Sequence, residues 1–145
     1  MKLLQINEKG PDVTGEEFDK FEKIVEAKLP EDFKLFLEKQ NPKRTIERSI
    51  VKGDNQYTVF NWLPLSESDE LSLASTFEWT KDLLEGKYLA FALDAGDWLF
   101  VISINQNDYG QIFFCRPDQE LSEIIKLADS FEEFIIALQP YDENK

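Results

Sequence analysis

Three stretches near the middle of the chain are almost wholly apolar, and each is closed by turn-forming residues. The first is Tyr88-Leu89-Ala90-Phe91-Ala92-Leu93. The second is Trp98-Leu99-Phe100-Val101-Ile102-Ser103-Ile104, and the third is Gln111-Ile112-Phe113-Phe114-Cys115. The breaks between them are Asp94-Ala95-Gly96-Asp97 and Asn105-Gln106-Asn107-Asp108-Tyr109-Gly110. Gly, Asn and Asp tolerate positive φ and close their own turns. Runs this short, with so few polar positions, predict three consecutive strands covered on both faces.

Elsewhere the period is helical. Thr14-Gly15-Glu16-Glu17 matches a capping box, and Phe18, Phe21, Ile24 and Val25 follow as a buried stripe. That helix is expected to end near Lys28. Pro30 suits the first position of a second helix, Glu31 and Asp32 complement its dipole, and Phe33, Phe36 and Leu37 form its stripe. Asn41-Pro42 stops it. Thr45 to Lys52 and Gln56 to Leu63 read as two strands. Their many polar residues place them towards an edge, with Ile46 and Ile50 sharing a face. Leu65 to Glu70 is an acidic loop and helix start. The helix runs to about Glu85, with Gly86 as its stop. Leu73, Phe77 and Leu84 lie on one face of it, and Trp79 falls off that face as an exposed aromatic. Leu121 to Ala128 is either a short strand or an irregular crossover. Ser130 with Glu133 forms a second capping box, and the last helix buries Phe131, Phe134, Ile135 and Leu138 before Pro140. Residues 1–13 are a lead-in, and Tyr141 to Lys145 are expected to be mobile. The reading is one α+β domain, with a core over about 15–139 and tails at 1–13 and 140–145.

Charge changes the picture most. The 29 acids and 16 bases leave a net charge of −13. Nucleic acid demands a basic footprint, so it is excluded as a partner, and a basic partner is favoured. Residues 41–60 hold four bases and two acids, whereas residues 61–145 hold seventeen acids and five bases. A plain solubilising surface is the alternative to a steering field. No apolar run approaches the roughly 18 residues of a membrane span, and the N-terminus lacks the pattern of a signal peptide. A cytoplasmic protein with no membrane partner is expected.

Candidate chemistry is sparse. The chain has no His, which removes the commonest general base and every His-containing triad. There is no Gly-rich phosphate loop, and Cys115 reads as a buried strand residue. No cofactor and no metal are expected. Asp94 and Asp97 can pair for acid–base work or hold a cation, but they serve a turn equally well. Glu67, Asp69 and Glu70 read as helix-start acids or as part of a binding rim. Trp62, Trp79 and Trp98 sit near acids or at element margins. Such a Trp anchors a partner or lies half-buried at the core's edge.

Four segments together resemble the SUKH superfamily, which contains the yeast cell-wall assembly regulator and many bacterial immunity proteins. Leu29-Pro30-Glu31-Asp32-Phe33-Lys34-Leu35-Phe36-Leu37 is similar to its LP-x-x-[YF]-x-x-[FL]-L helix. Phe60-Asn61-Trp62-Leu63-Pro64-Leu65 is similar to the strand that leads into its middle helix. Tyr88 to Phe100 resembles its hairpin, and Leu127 to Ile135 its "iAdSFeeFl" end. Two departures stand out: Pro42-Lys43-Arg44 where the family often has a Gly-rich turn, and Ala90 where a Pro usually precedes the Phe-Ala pair. The resemblance implies an α+β fold, a largely antiparallel sheet flanked by helices in the order ααββαβββ(β)α, and no catalysis. It also implies a bacterial immunity protein that neutralises a cognate toxin domain, often a nuclease, by direct contact. Toxin nucleases tend to be basic, which suits an acidic inhibitor. The expected contact surface is Glu67, Asp69, Glu70, Trp79, Asp94, Asp97 and Trp98. A scaffold module without a toxin is the second reading, and a hydrolase using Asp94 and Asp97 the third.

Overall fold

The computed structural model describes residues 2–118 and 120–143. In chain order the elements are β1 (Ile6–Lys9), α1 (Gly15–Val25), α2 (Glu31–Lys39), β2 (Pro42–Thr45), β3 (Glu47–Lys52), β4 (Asn55–Thr58) and β5 (Asn61–Trp62). There follow α3 (Leu73–Thr80), β6 (Tyr88–Leu93), β7 (Leu99–Ser103), β8 (Ile112–Cys115), β9 (Ile125–Ala128), α4 (Phe131–Ala137) and β10 (Gln139–Pro140). A single 3-10 turn, Leu121–Glu123, precedes β9, so both readings of that stretch are partly right. The fold is α+β, and every strand pair is antiparallel.

The five-stranded sheet β5-β6-β7-β8-β9 carries the core. Every residue of β6, β7 and β8 is buried, as the unbroken apolar runs predict. Rings fuse the sheet to two helices. Phe131 of α4 lies 4.9 Å from Phe33 and 5.0 Å from Phe36, both on α2, and 5.4 Å from Phe91 on β6. Trp62 of β5 joins through Phe36 at 5.2 Å. Aromatic pairs of this geometry add about 0.5–1.5 kcal/mol each beyond their buried area. α3 packs on β6 and touches α1.

Caps explain where the helices start. Thr14 accepts from the Glu17 amide and the Glu17 carboxylate accepts from the Thr14 amide, which is the predicted box. At α4 only half of the predicted box forms. Ser130 accepts from the Glu133 amide, but the Glu133 carboxylate accepts from Asp129 rather than from Ser130. α1 ends at Val25, because Glu26 turns left-handed at φ 58°. Ile24, expected in the buried stripe, is 50% exposed, and Phe18, Phe21 and Val25 alone form that stripe. α3 is shorter than expected. Ser66 holds residues before it in a turn by accepting from Ser68 and Asp69, and Ser72 with Ser75 makes the real cap.

The strand expected over Gln56 to Leu63 is divided between two sheets. The Val59 amide donates to Arg48 of β3 at 2.7 Å, and the next amide, Phe60, donates to Leu93 of β6 at 2.8 Å. β4 thus belongs to the sheet β10-β3-β4, and β5 belongs to the large sheet. Ile46 falls at the break between β2 and β3 and is exposed, so it does not share a buried face with Ile50. Both ends are tied to the body of the fold, where the sequence predicts a lead-in and a mobile tail. β1 pairs with β2, and the Gln40 side chain clasps Leu4 through two backbone bonds of 3.0 and 2.9 Å. Asp142 exchanges two hydrogen bonds with the Gln56 side chain, at 2.9 and 3.1 Å.

Candidate interaction surfaces

The seven residues expected to form one contact surface fall on three elements. The first is the turn between β6 and β7. Asp94 Oδ1 accepts from the amides of Gly96 and Trp98, both at 2.9 Å, so this carboxylate closes the turn. Asp97 is exposed in the left-handed region at φ 63°. The Trp98 ring is half-buried, 6.0 Å from Phe114, with the Arg116 guanidinium stacked 4.2 Å over it. Asp94, Trp98 and Arg116 line a groove of about 330 Å³ between this turn and β4. Arg116 Nε is buried there with no hydrogen-bond partner among the described residues. The sequence reading missed Arg116, because nothing in the spacing shows a cation lying over Trp98.

The second element is the loop before α3. Lys20 of α1 pairs with Glu67 at 3.2 Å, and Lys43 of β2 pairs with Asp69 at 2.7 Å. The Lys43 hydrogen bond, helped by Ser66, holds the Asp69 carboxyl below the usual carboxylate range. The same bond raises Lys43, and the bond to Glu67 raises Lys20. These two acids fasten the loop to other segments instead of starting α3. Glu70 is exposed and forms no ion pair among the described residues.

The third element is α3 itself. Leu73, Thr76, Phe77 and Thr80 face inward, and Trp79 projects outward with 53% of its surface exposed. Glu78 pairs with Lys81 at 3.2 Å and Glu85 with Lys87 at 3.5 Å, whereas Glu26 and Asp82 have no ion pair among the described residues. Between the end of α1 and α3 lies an open hollow of about 590 Å³, with Ile24, Glu26, Glu78 and Asp82 on its walls. An exposed Ile and carboxylates without an ion pair among the described residues thus share this hollow, and Trp79 is exposed on the same α3 that carries Glu78.

Among the described residues, no three His, Cys, Asp or Glu side chains gather as a metal would require. Cys115 is buried, and burial pushes its thiol pKa up, away from the thiolate a nucleophile needs. No helix among the described residues is long and apolar enough to cross a membrane.

The sequence pattern of the SMI1 / KNR4 family (SUKH-1) matches residues 12–137. The chain belongs to this family. No curated protein matches the chain. The SUKH-1 match opens just ahead of the Thr14 cap and closes on the last residue of α4, so all three surfaces lie inside it. β1 and β10 lie outside it. One departure from the SUKH pattern now has a physical explanation. Asn41 takes φ 39°, the left-handed conformation that a Gly-rich turn would otherwise supply, and the following Pro42-Lys43-Arg44 continues as β2.

Proposed function

We propose that this protein is a bacterial immunity protein. It acts as one domain in the cytoplasm, binds a cognate polymorphic toxin domain, and neutralises it by direct contact without catalysing a reaction. A nuclease is the toxin class that fits best, because a nuclease carries the basic surface that a chain of net charge −13 attracts. SUKH-1 membership supports this reading. The observation that carries it is Trp79, exposed on α3 and next in sequence to Glu78, which lines a hollow with Glu26 and Asp82, both without an ion pair among the described residues. A large ring gives a basic partner an anchor, and unpaired carboxylates give it charge.

Within the expected surface the residues take different parts. Trp79 and Glu70 are free to touch a partner. Trp98 offers the edge of a half-buried ring. Asp94 and Asp97 present the turn that carries it. Glu67 and Asp69 keep the loop in place through Lys20 and Lys43, and add negative potential that those lysines partly cancel. Neither nucleic acid nor a membrane is a partner in this proposal.

The test is co-expression with the toxin-like product of a neighbouring gene, scored by survival. Wild type should rescue growth, and a Trp79→Ala/Asp82→Lys variant of unchanged thermal midpoint should not. Rescue by the variant equal to wild type removes this face. Absence of any rescued toxin favours the scaffold role.

A further inference from the structure

A second concavity has the opposite character. Two arginines on consecutive strands, Arg44 of β2 and Arg48 of β3, stand on the walls of an open groove of about 670 Å³. Each lies over an aromatic ring. The Arg44 guanidinium lies 4.7 Å from the centre of Phe60, and the Arg48 guanidinium lies 5.6 Å from that of Tyr141. Neither arginine has an ion pair among the described residues. In a chain with 29 acids and 16 bases, two guanidinium groups without an ion pair among the described residues are unexpected on charge alone. Phe60 is 41% exposed and Tyr141 45%, and Ile46 adds apolar surface between them.

Lying over a ring leaves the N–H edges of a guanidinium free to donate and reduces the side-chain freedom it would lose on binding. Two such groups favour an anion with separated acceptors, and planar carboxylates match the fork of donors. The rings and Ile46 favour apolar side chains beside those carboxylates. We propose that this groove binds an acidic peptide segment of a protein partner, with carboxylates on Arg44 and Arg48 and an aliphatic or aromatic side chain against Phe60, Ile46 and Tyr141.

Two carboxylates of the chain itself, Glu8 and Glu143, also line the groove, and neither is ion-paired to an arginine. They repel acid placed away from the guanidinium groups, so they fix the register of the ligand rather than block it. A bare phosphoanion would use the arginines and leave the apolar wall idle. A nucleic acid strand carries a phosphate at every nucleotide and would set charge against Glu8 and Glu143 as well as on the arginines. This surface is separate from the acidic face of α3, so the proposal stands or falls without the toxin reading.

The experiment is selection of displayed random peptides of about 12 residues on the full chain, a length that reaches across an extended groove. Binding of the enriched peptide is then measured by fluorescence anisotropy. Enriched peptides should carry Asp or Glu flanking an aliphatic or aromatic residue. Their affinity should fall about tenfold for Arg44→Gln and for Arg48→Gln, with the thermal midpoint unchanged, because charged hydrogen bonds are the stronger class. Enriched peptides without acids, or equal affinity for wild type and both variants, overturn the proposal. Inorganic polyphosphate binding with no peptide enriched assigns the groove to phosphoanions and overturns it too. An arginine-dependent dimer in sedimentation with no peptide enriched gives the groove to a second copy of the chain, with the same consequence.

Discussion

The Gly10 amide donates to the Asn41 carbonyl at 3.1 Å, and a Cβ on Gly10 would sit only 2.2 Å from that oxygen. Asn41 also donates from its side chain to the carbonyls of Pro11 and Leu65, at 2.9 and 3.1 Å, and accepts from the Leu65 amide at 2.8 Å. It is 2% exposed. One side chain therefore joins the segment before α1 to the loop after β5. Asn41→Ala should destabilise the fold by about 3 kcal/mol, because buried backbone groups left unpaired cost about 1–3 kcal/mol each. Gly10→Ala should be of similar sign, since backbone rather than a flexible side-chain end must move. Urea midpoints of the two variants and of the double variant check this, and the double variant should fall short of the sum.

Phe131 ties α4 to α2 and to the large sheet, touching Phe33, Phe36 and Phe91. It is fully buried. Phe131→Ala should cost about 3–5 kcal/mol, the usual range for removing a buried ring. Ser130→Ala, which removes only the cap of the same helix, should cost about 1 kcal/mol. A thermal midpoint that falls equally for both variants would deny the ring cluster its central place.

These contacts mark the limit of what a single sequence discloses. Phe33, Phe36, Phe131 and Phe134 announce themselves by helical spacing, and Tyr88 to Cys115 by turn residues around apolar runs. Such features are local, so periodicity and turn chemistry suffice. β1 is illegible because Ile6-Asn7-Glu8-Lys9 has one apolar residue, and its place depends on β2 and on the Gln40 clasp. The change of sheet at Val59 and Phe60 is illegible for the same reason: two adjacent amides look alike until their distant acceptors are known. At the candidate site, Trp79 was legible from its angle on α3. The pairing of Lys43 with Asp69, and of Arg116 with Trp98, was not. Each brings together residues far apart in sequence.

The Lys43–Asp69 pair should make stability depend on pH at both extremes. Asp69 has its folded pKa lowered, so its contribution is present above the ordinary carboxylate value of about 3.9 and is lost as pH falls through the lower folded value. Lys43 has its folded pKa raised, so its contribution is present below the ordinary lysine value of about 10.4 and is lost as pH rises through the higher folded value. Between these limits the pair adds a constant, small amount, because both side chains are partly solvated. Urea midpoints of wild type and Asp69→Asn should differ by a constant near neutral pH and converge in strong acid. A difference that grows towards acid would contradict the pairing.

Cys115 tests whether β8 stays closed in solution. Its sulfur is buried within β8 and burial raises its thiol pKa, so both access and thiolate fraction are low. A disulfide-exchanging reagent at neutral pH should react slowly with the native chain and at once in denaturant. The native rate should follow opening of the sheet and slow further in osmolyte, because an opened state exposes apolar surface. Fast native labelling would place β8 among the mobile parts of the molecule.

Trp79 separates a contact role from a structural one. It is 53% exposed and takes part in no aromatic pair among the described residues, unlike Trp62 and Trp98. Trp79→Ala should therefore shift stability by no more than about 0.5 kcal/mol, as exposed positions generally do. If α3 meets the toxin, the same substitution should weaken that complex by about 2 kcal/mol or more, the scale of a buried aromatic anchor. Asp82→Lys should act differently, slowing association and flattening its dependence on salt, since an unpaired surface carboxylate works through steering. Denaturation of the free chain and stopped-flow association with the toxin domain measure the two effects apart. A Trp79→Ala variant that loses stability and binding in parallel would make the ring part of the fold, and its exposure no guide to a partner.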